Sequence, residues 1–129
     1  MKRTILLIED NEQNRYLATF LLEIRGHAVL SASDGAQGIE LAGRALPHLI
    51  LLDIQLPTMD GYAVARALRN DPALSDIPIV AVTSYAMTGD REKALAAGCN
   101  GYIERPINPQ TFVAEIECYL GDARKETLP

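Results

Sequence analysis

The segment Leu49-Ile-Leu-Leu-Asp53-Ile-Gln-Leu-Pro57-Thr-Met-Asp60-Gly61 decides the fold that we predict for this chain. Four apolar residues lead directly into a carboxylate, and a proline and a glycine then turn the chain. A short apolar run bounded by turn residues is typical of a buried strand in a parallel sheet. Ligands of open α/β sheets bind at the carboxyl ends of such strands. Because a charge beside a buried strand is costly unless it is paired, metal-bound or solvated, we interpret Asp53 as the functional centre.

Apolar runs on either side of this segment predict the other strands, at residues 4–8, 28–33, 77–82 and 101–103. Helical spacing of apolar residues predicts helices over 12–25, 34–45, 61–70 and 90–97, and a last helix that begins at Asn108-Pro109 and runs to 120. In the first helix this spacing comes from Leu17, Phe20, Leu21 and Ile24. The expected caps are Asp10 or Asn11 for the first helix, Asp34 for the second and Asp60 for the third.

The regular alternation of strand and helix predicts an α/β fold. We expect a doubly wound, five-stranded parallel sheet of the flavodoxin-like type, with five helices distributed over both faces. A chain of 129 residues has room for one core. We therefore assign residues 1–121 to one domain and residues 122–129 to a flexible C-terminal tail.

Composition excludes several functional classes. The net charge of −5 argues against a duplex nucleic-acid surface, which requires a basic patch. No leader opens the chain and no apolar run approaches ~18 residues, so we expect a cytoplasmic protein without membrane insertion. Cys99 and Cys118 are too few for a disulfide framework, and we expect both to be packing residues, with a surface-exposed thiol as the alternative.

Polar residues follow the predicted strands at the same edge of the sheet. They are Glu9 and Asp10 after the first strand, Asp53 after the third, Thr83 after the fourth and Arg105 after the fifth. Crowded carboxylates repel one another unless a cation joins them. Oxygen ligands from a few carboxylates are what Mg²⁺ prefers. A carboxylate in such a pocket can act as the nucleophile that forms an aspartyl phosphate, with the hydroxyl and the guanidinium holding the phosphoryl oxygens.

The chain closely resembles the receiver domain of two-component response regulators from Ile5 to about Leu120. The resemblance is carried by Leu7-Ile-Glu9-Asp10-Asn11, by Leu52-Asp53-Ile-Gln-Leu-Pro57-Thr-Met-Asp-Gly61, by Ala81-Val-Thr83-Ser84 and by Gly101-Tyr102-Ile-Glu-Arg105-Pro106. It implies a phosphoprotein of a phosphorelay, in which Asp53 accepts a phosphoryl group. It also implies signal transduction, not enzymatic turnover, with only self-directed phosphotransfer and dephosphorylation.

The resemblance also implies a role for each site residue. Mg²⁺, for which Mn²⁺ is an alternative, would be bound by Glu9, Asp10, Asp53 and the backbone carbonyl of Gln55. Thr83 and Tyr102 would form the switch pair, and Gln55 and Tyr85 would tune the lifetime of the phosphoryl group. The Arg105-Pro106 bond is a candidate for a cis peptide.

One residue departs from the family pattern, which has a lysine where this chain has Arg105. Lysine is a compact point charge, whereas arginine is a planar, forked donor. Arg105 could hold the phosphoryl group with both ends of its fork, or it could stay bound to Asp10 and Asp53 and weaken signalling. We expect a working phosphoacceptor, and the alternative is a phosphate-independent pseudo-receiver that binds proteins. Two rival functions fit this chain less well. A phosphohydrolase with an aspartate nucleophile would usually have a second Asp where this chain has Gln55. A flavin-binding fold would need a phosphate-cradling loop after the first strand, but Glu9-Asp10-Asn11-Glu12 is acidic there and would repel a phosphate.

The expected partners are proteins. A histidine kinase or a histidine phosphotransfer protein would donate the phosphoryl group and dock on the first helix near Asn14, Arg15 and Leu17. A downstream protein target would bind the last two helices. We expect a single-domain regulator that signals by protein contact or relays phosphate, without direct nucleic-acid binding.

Overall fold

A computed structural model describes residues 3–56, 59–84 and 89–120. Within these ranges the strands are β1 (Thr4–Ile8), β2 (Ala28–Ala32), β3 (Leu49–Asp53), β4 (Ile79–Thr83) and β5 (Gly101–Glu104). The helices are α1 (Glu12–Ile24), α2 (Gly35–Ala45), α3 (Gly61–Asn70), α4 (Asp90–Ala96) and α5 (Phe112–Tyr119), and a short 3-10 helix spans Pro72–Leu74. No helix in these ranges is both long enough and apolar enough to cross a bilayer.

The strands form one parallel sheet in the order β2-β1-β3-β4-β5. The chain moves from β1 outward to β2, and then returns to the other side of β1 with β3. The switch point of this doubly wound topology therefore lies between β1 and β3, where ligands bind in such sheets. The predicted fold class is confirmed.

Two cores cover the two faces of the sheet, because side chains alternate along each strand. One core contains Ile50 and Leu52 of β3 together with buried residues of α2, α3 and α4. The other contains Leu49 and Leu51 with buried residues of α1 and α5. We call these faces the α2–α3–α4 layer and the α1–α5 layer.

Side-chain caps fix where three of the helices begin. Asn11 accepts a hydrogen bond from the Asn14 N–H and is the cap of α1, which settles the choice between Asp10 and Asn11. Asp34 accepts from the Gln37 N–H and caps α2. Asp60 accepts from the Tyr62 N–H and caps α3, as predicted.

Two features of the helices differ from the sequence prediction. Helical spacing in α1 does not identify its buried face: Leu21 and Leu22 are buried with Ala18, whereas Phe20 is 49% and Ile24 63% exposed. The last helix begins at Phe112 and not at Asn108-Pro109. The Asn108 side chain accepts from the Gln110 N–H and closes a separate turn, so its capping chemistry serves that turn.

Arg69 organises the end of the sheet opposite to the carboxyl ends of the strands. Its guanidinium donates to the carbonyls of Gly98, Leu74 and Ile77 and to Oδ1 of Asn100, at 2.6 to 3.1 Å. These contacts join the end of α3 to the 3-10 segment and to the loop before β5. The sequence prediction included neither this network nor the 3-10 helix.

Candidate functional site

The residues predicted from the strand ends do meet at one edge of the sheet. Asp53 is the last residue of β3, Thr83 is the last residue of β4, and Glu9 directly follows β1. The carboxylates of Glu9, Asp10 and Asp53 each offer an oxygen within 4.8 Å of the others. Glu9 and Asp53 are buried and Asp10 is exposed, so the cluster opens to solvent through Asp10.

A backbone hydrogen bond holds the carboxylate of Asp53 in place within this cluster. Its Oδ1 accepts a hydrogen bond from the Gln55 N–H at 2.9 Å. Burial raises the pKa of Asp53 to about 6, the Gln55 N–H opposes this rise, and the Asp10 carboxyl adds to it. The fold therefore holds a carboxylate whose negative charge is under-compensated, which favours the arrival of a cation.

Arg105 is the cation that the chain itself brings to the cluster. Its Nη2 donates to Oε1 of Glu9, and its Nη1 lies 3.6 Å from Oδ1 of Asp53. Nη1 also donates to Oγ of Ser84 at 3.4 Å. The Arg105 backbone N–H donates to the Thr83 carbonyl at 2.7 Å, which fixes the main chain beside β4. Burial lowers the pKa of Arg105, although the group remains cationic at any physiological pH.

Both carboxylate oxygens of Glu9 are engaged. Oε1 accepts from Arg105, and Oε2 accepts from the Asn11 N–H at 3.1 Å. Arg15 supports the same loop from α1, because its Nη1 donates to the backbone carbonyls of Glu9 and Asp10 at 3.0 and 3.3 Å. The sequence prediction placed Arg15 on a docking surface and missed this structural contact.

Gln55 joins the loops after β3 and β4. Its backbone N–H binds Asp53, and its Oε1 accepts from the Ser84 N–H at 3.0 Å. The exposed side chain thus lies beside the carboxylate cluster. Tyr85, the second residue predicted to flank the site, lies outside the described residues, as does the predicted tail.

Thr83 and Tyr102 lie on the same face of the sheet. Thr83 is two residues after Ala81, and Tyr102 pairs with Ala81; both Ala81 and Tyr102 belong to the α2–α3–α4 core. Thr83 is only 2% exposed. Tyr102 is half-buried, and its hydroxyl oxygen is buried without a hydrogen-bond partner among the described residues. On the same layer, the Tyr62 hydroxyl donates to Oδ1 of Asp90 and ties α3 to the start of α4.

A small apolar cavity of about 100 Å³ adjoins the carboxylate cluster on the α1–α5 layer. Asn14 and Leu17 of α1 line one side, and Pro106, Ile107 and Phe112 line the other, with Glu9 and Arg105 at its polar end. The Arg105-Pro106 peptide bond is cis, in agreement with the resemblance. Leu17, which lines this cavity, is 38% exposed, and the residue before it on α1, Tyr16, is 72% exposed.

The two histidines lie away from this cluster, at the start of β1. Nδ1 of His27 accepts from the Arg3 N–H, and Nδ1 of His48 accepts from the Thr4 N–H. Cys99 is buried, as expected of a packing residue, whereas Cys118 is exposed, so the prediction that both are packing residues is wrong for Cys118.

The structure has a parallel sheet with an acidic cluster at its switch point, a buried threonine on the next strand and a cation after the last strand. These features define a response regulator receiver domain. The family of that description matches residues 5–117, and the chain belongs to it. Members of this family are signalling modules and not metabolic enzymes.

The polar-differentiation response regulators DivK of Brucella anthropi and Brucella ovis are each 41% identical over 123 residues, which cover 95% of this chain and all of theirs. The receiver domain of a sensor histidine kinase from Pseudomonas aeruginosa is 34% identical, with a TM-score of 0.86 and coverage of 95% of this chain and 100% of that one. Its crystal structure has a magnesium ion coordinated in the active-site cleft. A receiver domain protein from Methanospirillum hungatei is 28% identical, with a TM-score of 0.86 and coverage of 98% and 99%.

Proposed function

We propose that this chain is a single-domain response regulator whose Asp53 accepts a phosphoryl group from a phosphohistidine of a histidine kinase or a phosphotransfer protein. The observation that carries this proposal is the position of Asp53, buried at the end of β3 with Asp10 and Glu9 on one side and Arg105 on another. The DivK relatives, covered over their whole length, support the single-domain part of the proposal.

The donor set fits Mg²⁺. Glu9, Asp10 and Asp53 provide only oxygen atoms within 4.8 Å of one another, and one of the three acids is open to solvent. A magnesium ion in the cleft of the Pseudomonas aeruginosa receiver supports the same assignment. We propose these three residues and the backbone carbonyl of Gln55 as its ligands, with Mn²⁺ as an alternative ion. When bound, the ion would neutralise the acids and so admit a phosphate.

The transfer step uses groups that the fold already holds in place. An oxygen of the Asp53 carboxylate attacks phosphorus, an O–P bond forms, and the P–N bond of the donor breaks. The imidazole leaves with the electron pair of that bond and takes up a proton. The Thr83 hydroxyl and the Arg105 guanidinium hold the phosphoryl oxygens, because one ends the neighbouring strand and the other is already 3.6 Å from Asp53.

Signal read-out would begin at Thr83 and Tyr102. Both lie on the α2–α3–α4 face, and the Tyr102 hydroxyl has no partner among the described residues that would hold it in place. A shift of the Thr83 hydroxyl toward the phosphoryl group would leave space behind it for the ring of Tyr102. We propose that this changes the surface of α4, β5 and α5, which a protein target recognises. Gln55, and Tyr85 by resemblance, would tune how long the phosphoryl group persists.

The donor would dock over α1, beside the cluster. The cavity lined by Asn14 and Leu17 provides an apolar surface next to Glu9 and Arg105. Arg15 contributes by holding the loop of Glu9 and Asp10 in place. We place this activity in the cytoplasm, with protein partners and no nucleic acid.

Intact-mass spectrometry after incubation with acetyl phosphate and Mg²⁺ tests this function. The wild type should gain the mass of one phosphoryl group, and a chelator should prevent the gain. Asp53→Asn should gain none. Asp60→Asn is the matched control, because it also removes one acid but keeps a helix cap of equal quality, and it should be modified like the wild type. A wild type that stays unmodified with both this donor and a purified histidine kinase would contradict the proposal.

A phosphate-independent pseudo-receiver is the second candidate. It is favoured by one observation, the engagement of both Glu9 oxygens by Arg105 and the Asn11 N–H. In that case Arg105 would permanently compensate the charge of the acidic cluster, and the target protein would bind this chain without phosphorylation. Under this alternative, Arg105→Lys would acquire a phosphoryl group under conditions in which the wild type does not.

A further inference from the structure

An open groove of about 330 Å³ lies between α3 and α4, apart from the carboxylate cluster at the strand ends. Three of its lining residues come from α3 and its cap, and three come from α4 and its end. They are Asp60, Tyr62, Arg66, Lys93, Ala96 and Ala97. The proposed phosphoryl transfer uses none of these residues, so the groove is a separate place on the molecule.

Two cations line this groove from opposite sides. Arg66 belongs to α3 and Lys93 to α4, and both are exposed. Neither side chain forms a hydrogen bond or an ion pair with any residue in the described part of the chain. The chain has 17 acids and 12 lysines and arginines, so these cations are unpaired although acids are in excess. Two like charges in one groove repel each other, and an anion between them would remove that cost.

The charges are unevenly distributed along the groove. Asp60 caps α3, so its carboxylate lies where that helix begins. Arg66 is six residues further on, which is about 9 Å along the helix axis. Lys93 lies in the last turn of α4. An anion is therefore favoured beside Arg66 and Lys93 and is repelled at the end near Asp60.

The rest of the groove wall is apolar. Ala96 and Ala97 present only methyl groups, which leaves space on the α4 side. Tyr62 is half-buried on the α3 side, and its hydroxyl donates to Oδ1 of Asp90 at 3.2 Å, which holds the ring in place. A groove of about 330 Å³ has room for about eleven water molecules at ~30 Å³ each, which is more than an inorganic anion needs. The shape therefore suits an anion that carries an organic group.

We propose that this groove binds a small organic phosphate, with the phosphoryl group between Arg66 and Lys93 and the organic group against Ala96, Ala97 and Tyr62. A phosphomonoester carries about two negative charges at neutral pH, which matches the two cations. The planar guanidinium binds two phosphoryl oxygens at once, and the ammonium adds a point charge. A single carboxylate would leave one of the two cations uncompensated.

A ligand in this groove would connect α3 to α4. The hydrogen bond from Tyr62 to Asp90 already joins these helices near the start of α4. A phosphoryl group shared by Arg66 and Lys93 would add a second link further along both helices. Because α4 belongs to the surface that we propose for the target, the ligand would act on target binding without acting on Asp53. The binding of the ligand itself does not depend on the proposed function.

The test is a ¹H–¹⁵N NMR titration of the full chain with inorganic phosphate and with phenyl phosphate, at constant pH and ionic strength and without divalent cations. The amide resonances of Arg66, Lys93, Ala96 and Ala97 should move with both probes. Phenyl phosphate should bind about threefold more tightly than inorganic phosphate, because its ring also covers apolar surface.

Variants of the two cations show whether the groove is the binding site. Arg66→Gln and Lys93→Gln should each weaken the binding of both probes by about fivefold, because each removes one exposed charge contact. Both should fold like the wild type, since neither side chain has a partner in the described part of the chain. Arg44→Gln is the matched control, because it also removes one exposed helical cation but does not line the groove. Its affinity for either probe should equal that of the wild type.

Three outcomes would overturn the proposal. The first is equal affinity for the two probes, which would exclude a role for the organic group. The second is an equal loss of affinity in Arg44→Gln, which would mean that only net charge matters. The third is loss of binding in Asp53→Asn, which would locate the anion in the carboxylate cluster. Phosphoryl uptake on Asp53 is a separate measurement, and its absence would refute the proposed function while the groove kept its ligand.

Discussion

Asp53→Asn should make the protein more stable while it abolishes phosphoryl uptake. The Asp53 carboxyl is 6% exposed, and burial is the main reason that its pKa is raised from 3.8 to about 6. The folded state therefore binds this proton more tightly than the unfolded state. Stability is highest below the unfolded pKa and falls as the pH rises through the folded pKa. At about 1.4 kcal/mol for each pH unit, the charged form costs the native state ~3 kcal/mol.

The amide of asparagine has the same shape as the carboxyl but carries no charge, and its Oδ1 can still accept from the Gln55 N–H. We expect Asp53→Asn to exceed the wild type in free energy of unfolding by about 2–3 kcal/mol at neutral pH and by nothing below about pH 4. Urea unfolding followed by far-UV circular dichroism measures this, because the chain has no tryptophan for fluorescence.

Two comparisons make this test specific. Asp60→Asn removes an acid from the same region without removing a helix cap, so its stability should differ little from that of the wild type. Mg²⁺ should stabilise the wild type and reduce the difference in free energy of unfolding between it and Asp53→Asn, because a bound cation compensates the buried charge. The reasoning would be refuted if Asp53→Asn were no more stable than the wild type at neutral pH, or if the difference between them did not change with pH.

Three further predictions concern the scaffold. Gly61→Ala should lower the free energy of unfolding by about 2 kcal/mol in urea titrations, because an added Cβ would lie 2.4 Å from Cα of Ile54. Gly43→Ala is the control: its added Cβ would have nothing within 4 Å, and the free energy of unfolding should rise by about 0.5 kcal/mol. Arg69→Lys should cost about 2 kcal/mol in the same assay, because one ammonium cannot reach the Gly98 and Ile77 carbonyls together, and exposed Arg66→Lys should be neutral. Burial, and then the neighbouring Asp90, raises the pKa of Tyr62 to about 12, so ultraviolet titration should show a phenol transition near that pH. Because the folded state holds this proton more tightly, the free energy of unfolding should fall as the pH rises from 10 to 12. Tyr62→Phe should lose the transition, and its free energy of unfolding should fall less over the same range.

The sequence was sufficient to predict the sheet, because each strand is a short apolar run between turn residues. It was also sufficient to predict that Glu9, Asp10, Asp53 and Thr83 lie at one edge of the sheet, since the carboxyl ends of parallel strands meet there. These predictions depend on order along the chain and on alternation, which a sequence displays directly.

What could not be predicted depends on three-dimensional contact. Phe20 and Ile24 have helical spacing yet are exposed, because spacing does not tell which side of α1 meets the sheet. Asn108 has the chemistry of a helix cap but closes a turn before Thr111, the residue that precedes α5. The contact of Arg105 with Glu9 joins residues 96 positions apart, and no local pattern signals it.

The division of the site between the two layers has a consequence for timing. The cavity beside Glu9 opens on the α1–α5 layer, whereas Thr83 and Tyr102 face the α2–α3–α4 layer. Under the proposed function, a donor approaches over α1, and a target that binds only α4 and β5 does not compete with it for the same surface. A target that also covers α5 would reach the donor's layer, because Phe112 of α5 lines the cavity. The contact of the target with α5 therefore decides whether its residence time and the frequency of donor encounters are independent quantities. If they are independent, a cell could alter either one through the abundance of a single partner, while the other stayed constant.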